Sequence, residues 1–336
     1  MSRFTGSEWA RLLVAVSAVA LVVVLVAATA VGTIKPVIDR DFPDPSVVAA
    51  GDAYYAYSTA AGYGHEFWHV PVQRSSSLTD DWSPVGDAMP DLPPWVARDG
   101  NGNGNVTAPE VIRRDGGDYL LYFVALAQAT NVQCIGSALA SAPTGPFAPA
   151  PNPLICQPGG VDSIDPQAFT DGDGKRYLLY SSGQSVATIW LQQVAADRTT
   201  PIGPRRALIA ADRPEEANIA EAPAMVKRGN EYVLFYSGNT YNSGHYFVNY
   251  ATAHSVAGPF VKHDGQFLSR TSLADAYTNP GGQSVVPGPR GDYLVFHASV
   301  GPHDRAMFAA GLKWDAAGEP VLEVNNVAGT PLDYSQ

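Results

Sequence analysis

The chain is short of charge and nearly free of cysteine. Only 16% of its 336 residues are Asp, Glu, Lys or Arg, and it has two Cys and four Met. Lys and Arg number 21 against 32 acids, giving a net charge of −11, and they form no cluster. That removes the electrostatic footprint expected for nucleic acid or for an anionic polymer, and it suits a neutral partner. There is no Cys-x-x-Cys, no Walker sequence and no Gly-x-Ser-x-Gly. Nucleotide chemistry and a serine-hydrolase elbow therefore lack support. Asp171-Gly172-Asp173-Gly174 looks like the start of a calcium loop. Its twelfth position is Ser182 where an EF-hand needs Glu, so it reads as a hairpin turn. The Gly- and Asn-rich stretch 99–105 has no strand feeding it and no helix after it, which makes it a loop and not a phosphate cradle. No convincing amphipathic helix follows position 36.

What the chain does have is turns and tyrosine: 32 Gly, 27 Pro and 16 Tyr. This is the composition of many short strands joined tightly. One paragraph of sequence occurs five times. Its heads are Asp44-Pro45, Ala108-Pro109, Asp165-Pro166, Ala222-Pro223 and Gly282-Gln283, in steps of 64, 57, 57 and 60 residues. Each head opens a short strand, and a turn then leads to a Tyr-rich second strand such as Tyr119-Leu120-Leu121-Tyr122 or Tyr232-Val233-Leu234-Phe235. Units of this length cannot bury their faces alone. Four-stranded sheets set radially around a channel can, so the expectation is an all-β, five-bladed β-propeller over residues 36–334.

Before it, Leu12 to Val31 is almost wholly apolar and Ala28-Thr29-Ala30 resembles a cleavage site. Residues 1–30 are expected to be a signal peptide cleaved after Ala30, with a retained membrane anchor as the alternative. Either places the folded part outside the cytoplasm, secreted or anchored on the outer face. Cys134 and Cys156 in such a compartment are expected to pair. A monomer is expected.

Heads at one channel mouth would bring Asp44, Asp165 and Glu221 together. Acids that share a pocket split their pKa values, so that one can act as an acid and another as a base. Glycoside hydrolysis uses such a pair, and aromatics near these loops (Phe67, Trp68, Trp95, Tyr241, Phe247) could stack on a sugar ring. A single acid beside Pro is more often a turn residue. The joint placement of three carries the functional reading.

Phe42-Pro43-Asp44-Pro45-Ser46, Ile164-Asp165-Pro166, Glu221-Ala222-Pro223 and Tyr293-Leu294-Val295-Phe296-His297 resemble glycoside hydrolase family 43. The resemblance covers about Asp41 to Glu323. It implies an inverting hydrolase acting on arabinofuranosyl or xylosyl linkages of an oligo- or polysaccharide, with no required cofactor and calcium in the central channel as an option. By the same resemblance Asp44 is the general base, Glu221 the general acid and Asp165 the group that orients Glu221 and raises its pKa. Gln283 stands where many members have His, and Arg305 matches a frequent Arg. His297 resembles a histidine near a central ion or water, with a structural hydrogen-bonding role equally open. Thr107 replaces a common Trp, so Trp95 or Trp68 would have to supply the sugar platform. Retaining fructosyl hydrolases share the architecture, but their Asn-Asp-Pro-Asn-Gly, Arg-Asp-Pro and Glu-Cys marks are missing here. A silent sugar-binding propeller would not need all three acids.

Overall fold

Each of the five copies folds into one four-stranded antiparallel sheet. The structure, a computed structural model, describes residues 34–324. The apolar segment, with its signal or anchor reading, lies outside the described residues, as do positions 325–336. We number the sheets as blades I to V. Their first strands are Ser46–Ala50, Val106–Arg113, Ser163–Thr170, Ala220–Arg228 and Thr278–Gly288. These five touch one another in ring order, and the first also touches the last, so they line a central channel. The described residues contain no α-helix, only two 3-10 turns at Pro214–Glu216 and Thr271–Leu273.

The second strands explain the Tyr-rich runs. Side chains of a strand alternate between its two faces, and in a propeller each face meets a different neighbour. In Tyr119–Ala127, Leu120, Tyr122 and Val124 pack toward Leu178 and Tyr180 of blade III, while Leu121 and Phe123 pack toward Tyr57 and Val72 of blade I. Tyr232, Leu234 and Tyr236 likewise join blade III, while Val233 and Phe235 join Leu294 and Phe296 of blade V. With both faces buried, the strand reads as continuously apolar. The Tyr hydroxyls that end inside find acceptors, as buried phenols require. Tyr122 donates to Arg198 O at 2.5 Å, Tyr57 to Pro143 O at 2.6 Å and Tyr236 to Glu216 Oε1 at 2.7 Å.

The ring closes between blades V and I. Val37 N donates to Met307 O at 2.8 Å and Phe42 N to Arg305 O at 2.8 Å, so the segment before blade I pairs with the third strand of blade V. Ile38 and Phe42 fill the core there with Val295 and Met307. Asp171 to Lys175 forms the hairpin turn expected of it. Gly145-Pro146-Phe147 and Gly258-Pro259-Phe260 lead into the outer strands Ala148–Pro149 and Val261–Lys262.

The structure joins Cys134 to Cys156, with Cα atoms 4.6 Å apart. The bond ties the third strand of blade II to the connection toward blade III. It closes a loop of 22 residues, worth about 3 kcal/mol if loop entropy dominates. Replacing both Cys by Ala is expected to lower the thermal midpoint by several degrees without changing the far-UV spectrum, measurable by circular dichroism. A second prediction concerns Glu110, which faces the channel. Burial raises its carboxyl to about 7, against donors from Ser46 and Ala168 N. A folded value above the unfolded one gives stability that is complete below the unfolded value and is lost as pH rises through about 7. Glu110→Gln is therefore expected to gain stability relative to the parent as pH goes from about 5 to 8, as read from urea midpoints at the two values.

Candidate active site

The five heads share one backbone device. Asp44, Ala108, Asp165, Ala222 and Gly282 all have left-handed φ, between 46° and 57°. Four precede proline, which disfavours the right-handed α region for the residue before it. Across the heads of blades II to V the first strand advances three residues while its partner advances two. Examples are Thr107↔Val124 to Glu110↔Tyr122, and Glu221↔Ser237 to Ala224↔Phe235. Each of these heads is thus a bulge, which bends a strand and re-aims its side chains. The register also corrects one expectation. Asp44 and Asp165 occupy the left-handed position itself, but Glu221 stands one residue earlier, equivalent to Pro43, Thr107, Ile164 and Gly281.

A second-strand side chain caps the next head. Thr59 Oγ1 accepts from Ala108 N at 2.9 Å, Ser237 Oγ from Gly282 N at 3.2 Å, and His297 Nδ1 from Asp44 N at 3.1 Å. Between blades III and IV, Asp165 Oδ2 takes the Ala222 N–H at 2.9 Å instead. The carboxylates are therefore built into the belt that joins the blades.

At the mouth, the channel opens into a pocket of about 600 Å³ lined by Asp44, Asp165 and Glu221 together with Thr59, Tyr246 and Arg305. Below the heads it narrows to a waist of about 40 Å³. Asp44 Oδ2 accepts from Thr59 Oγ1 at 2.6 Å, and its Oδ1 lies 3.5 Å from Arg305 and 3.2 Å from His297 Nδ1. Burial alone would raise this carboxyl. The Arg305 guanidinium, the His297 ring and the Thr59 hydroxyl outweigh it and hold Asp44 well below the usual carboxylate range. Asp165 is raised by burial and by the Asp44 charge, against the Ala222 N–H. Glu221 is raised by burial, then by the charge of Asp165, and less by that of Asp44. The pocket thus holds one firmly ionised carboxylate and an interacting pair in which Glu221, raised further than Asp165, is the last to lose its proton.

A sequence model of the family described as Glycosyl hydrolases family 43 matches residues 33–320. The chain belongs to that family. A β-D-galactofuranosidase of Aspergillus niger is 27% identical over 78% of this chain and 75% of its own length. An extracellular exo-α-(1→5)-L-arabinofuranosidase of Cellvibrio japonicus is 24% identical over 84% of this chain and 86% of its own. Among solved structures, a thermostable family-43 glycoside hydrolase superposes with a TM-score of 0.74, at 24% identity, over 89% of this chain and 97% of that one, a likeness of fold.

Within this family-43 pocket, several residues expected from the sequence sit elsewhere. Trp68 is not among the lining residues. It lies on the small hairpin Ala61–Tyr63/Glu66–Trp68, stacked on Tyr63 at 4.0 Å, with Nε1 bonded to Glu66. Trp95 packs inside blade II against Phe123, where Gly136 leaves room for it. Phe247 is buried against Gly238. Hydrophobic packing claimed these rings, and neither Trp68 nor Trp95 supplies a platform in the pocket. Gln283 lies below the mouth at the waist, its amide bridging Ser237 Oγ (2.7 Å) and Ala222 O (2.5 Å), so it braces blades IV and V rather than facing the mouth. Arg305 does line the pocket, between Asp44 and the ring of Tyr241 at 5.0 Å.

His297 is fully buried, and burial pushes it below its ordinary value, so its ring is neutral near pH 7. Nδ1 stands 3.1 Å from Asp44 N and 3.2 Å from Asp44 Oδ1, while Nε2 is buried with no hydrogen-bond partner. Among the described residues no three of His, Cys, Asp and Glu gather as a metal-holding set. The belt gives His297 a structural role as the counterpart of Thr59 and Ser237. Thr59 and Tyr246 are contributors that the repeat pattern did not single out. The Tyr246 hydroxyl donates to Glu221 Oε1 at 2.8 Å.

Arg305 is the strongest opponent of burial at Asp44. Arg305→Gln is expected to raise the Asp44 pKa and move the acidic limb of the pH–kcat/KM profile to higher pH. An unmoved limb would show that the guanidinium does not set the ionisation of Asp44.

Proposed function

We propose that this family-43 chain is an inverting glycoside hydrolase that cleaves arabinofuranosyl or xylosyl linkages in oligo- or polysaccharides outside the cytoplasm. The observation that carries this reading is the division of ionisation inside one pocket: Asp44 is held charged while burial and Asp165 keep Glu221 protonated. The ionised Asp44 takes a proton from water as that water attacks the anomeric carbon. The protonated Glu221 gives its proton to the departing glycosidic oxygen. Asp165, bonded to Ala222 N, ionises before Glu221, and its charge then favours the protonated acid. A base that works through water inverts the anomeric centre. A silent sugar-binding propeller would have no use for this division.

The relatives named as an arabinofuranosidase and a galactofuranosidase support a furanose glycon. The disulfide and the extracellular relative support work outside the cytoplasm. The wall contributed by blade II, with Asn105, Thr107, Leu126 and Gln133, carries no aromatic ring. Stacking on that side is therefore replaced by polar and aliphatic contact.

The test is a panel of nitrophenyl α-L-arabinofuranoside, β-D-galactofuranoside and β-D-xyloside with arabinan and xylan, the first-formed anomer being followed by NMR. Turnover with inversion is expected. A retained anomer would overturn the mechanism, and turnover of none of the substrates would overturn the reading. Asp44→Ala is expected to abolish turnover on every substrate, whereas Glu221→Ala should spare dinitrophenyl glycosides, whose leaving group departs without protonation. Asp165→Asn removes the charge that raises Glu221, so the basic limb of the pH profile is expected to fall.

A further inference from the structure

Among the described residues Tyr246 is the one neutral side chain bonded to the proposed acid, and its place is over-determined. Its ring is buried, stacks on His297 with centroids 5.9 Å apart and planes 8° apart, and lines the mouth pocket. The ring fits only because position 281 is glycine, where a Cβ would stand 1.9 Å from Tyr246 Cε1. At the next residue, Gly282, a Cβ would stand 2.5 Å from His297 Nδ1 and 2.8 Å from Asp44 Oδ1. The pair Gly281-Gly282 thus clears the space in which Tyr246 and His297 lie plate on plate. One plate is bonded to Glu221 through its hydroxyl and the other to Asp44 through its backbone N–H.

We propose that Tyr246, held by the Gly281 notch and the His297 ring, is a positioning residue that fixes which oxygen of Glu221 carries the transferable proton. This rests on the assignment of Glu221 as the acid. A protonated carboxyl has one carbonyl oxygen and one hydroxyl oxygen. The phenol donates to Oε1, so Oε1 is the carbonyl oxygen and the proton sits on Oε2. Without that bond the proton is free to occupy either oxygen and the carboxyl is free to turn. Only part of the population would then present the proton to the leaving oxygen.

Tyr246→Phe keeps the ring in its notch and removes the bond. On glycosides of the sugar that the parent releases, kcat is expected to fall by roughly 10²-fold for poor leaving groups such as alkyl or sugar alcohols, the scale of a misplaced catalytic group. For dinitrophenyl leaving groups it should change little, with KM nearly constant in both cases. The charged groups facing Glu221 (Asp165, Asp44 and Arg305) stay in place, while the phenol that favours its ionised form is gone. The basic limb is therefore expected to move to higher pH. Gly281→Ala should displace the ring and give the same leaving-group signature in a folded variant.

Infrared difference spectra supply a readout that needs no turnover. The protonated carboxyl C=O band of the parent, identified by its loss in Glu221→Gln, is expected to shift to higher wavenumber in Tyr246→Phe. Equal loss on all leaving groups, no loss, or an unshifted band would overturn the proposal. Absence of parent activity on every glycoside would overturn the functional reading alone, and the band would still decide the role of Tyr246.

Discussion

The structure depends on a left-handed residue at the head of each inner strand. Five strands meeting around one axis leave five sets of backbone groups near the channel, and buried backbone donors must be paired. The left-handed turn at each head turns one N–H out of its own sheet, and a side chain of the preceding blade accepts it where the belt was traced. Thr59, Asp165, Ser237 and His297 do so. The inter-blade cores supply adhesion without direction. These bonds supply register, because each requires one particular atom opposite one particular N–H. A lower belt repeats the theme. Ser46 Oγ accepts from Val111 N at 3.0 Å, Glu110 Oε1 from Ala168 N at 3.2 Å, and Gln167 Oε1 from Met225 N at 3.3 Å.

The electrostatics of the pocket follow from how many donors each acid receives. All three carboxyls are desolvated, which favours their neutral forms. Asp44 alone has a hydroxyl donor and a guanidinium within 3.5 Å. Asp165 has one backbone N–H and Glu221 one phenol. Donors decide which acid ionises first, and once Asp44 is charged its field opposes ionisation of the other two. The same belt that sets register therefore orders the protons.

Much of this was legible in the chain. The spacing of the five heads and the Tyr-rich second strands gave the blade count, because a strand buried on both faces has a distinctive apolar run. The acids were legible because they stand at or beside heads whose neighbours elsewhere are Ala or Gly. The platform was not legible. Trp68 and Trp95 lie near the mouth in sequence, but a loop tryptophan finds apolar surface wherever it can, and Tyr63 and Phe123 offered it. Tyr246 was hidden for another reason. Its position depends on a missing Cβ at Gly281, in another blade and 35 residues away. A pairing between a ring and an empty volume leaves no periodic trace.

The one-residue offset of Glu221 then has a physical sense. Had blade IV carried its acid at the head, at position 222, the carboxyl would sit level with Asp44 and Asp165. The backbone there is already committed, because Ala222 gives its N–H to Asp165 and its C=O to Gln283. One residue earlier the chain lies farther toward the mouth, and Glu has one more methylene than Asp with which to reach across. Glu221 thereby lines the mouth pocket but not the waist, while Asp44 lines both and stays against His297 and Arg305. Asp44 and Glu221 are thus set at different depths of the channel. A bulge repeated around a ring, with one acid set back by a single residue, produces that separation without disturbing the belt that joins the blades.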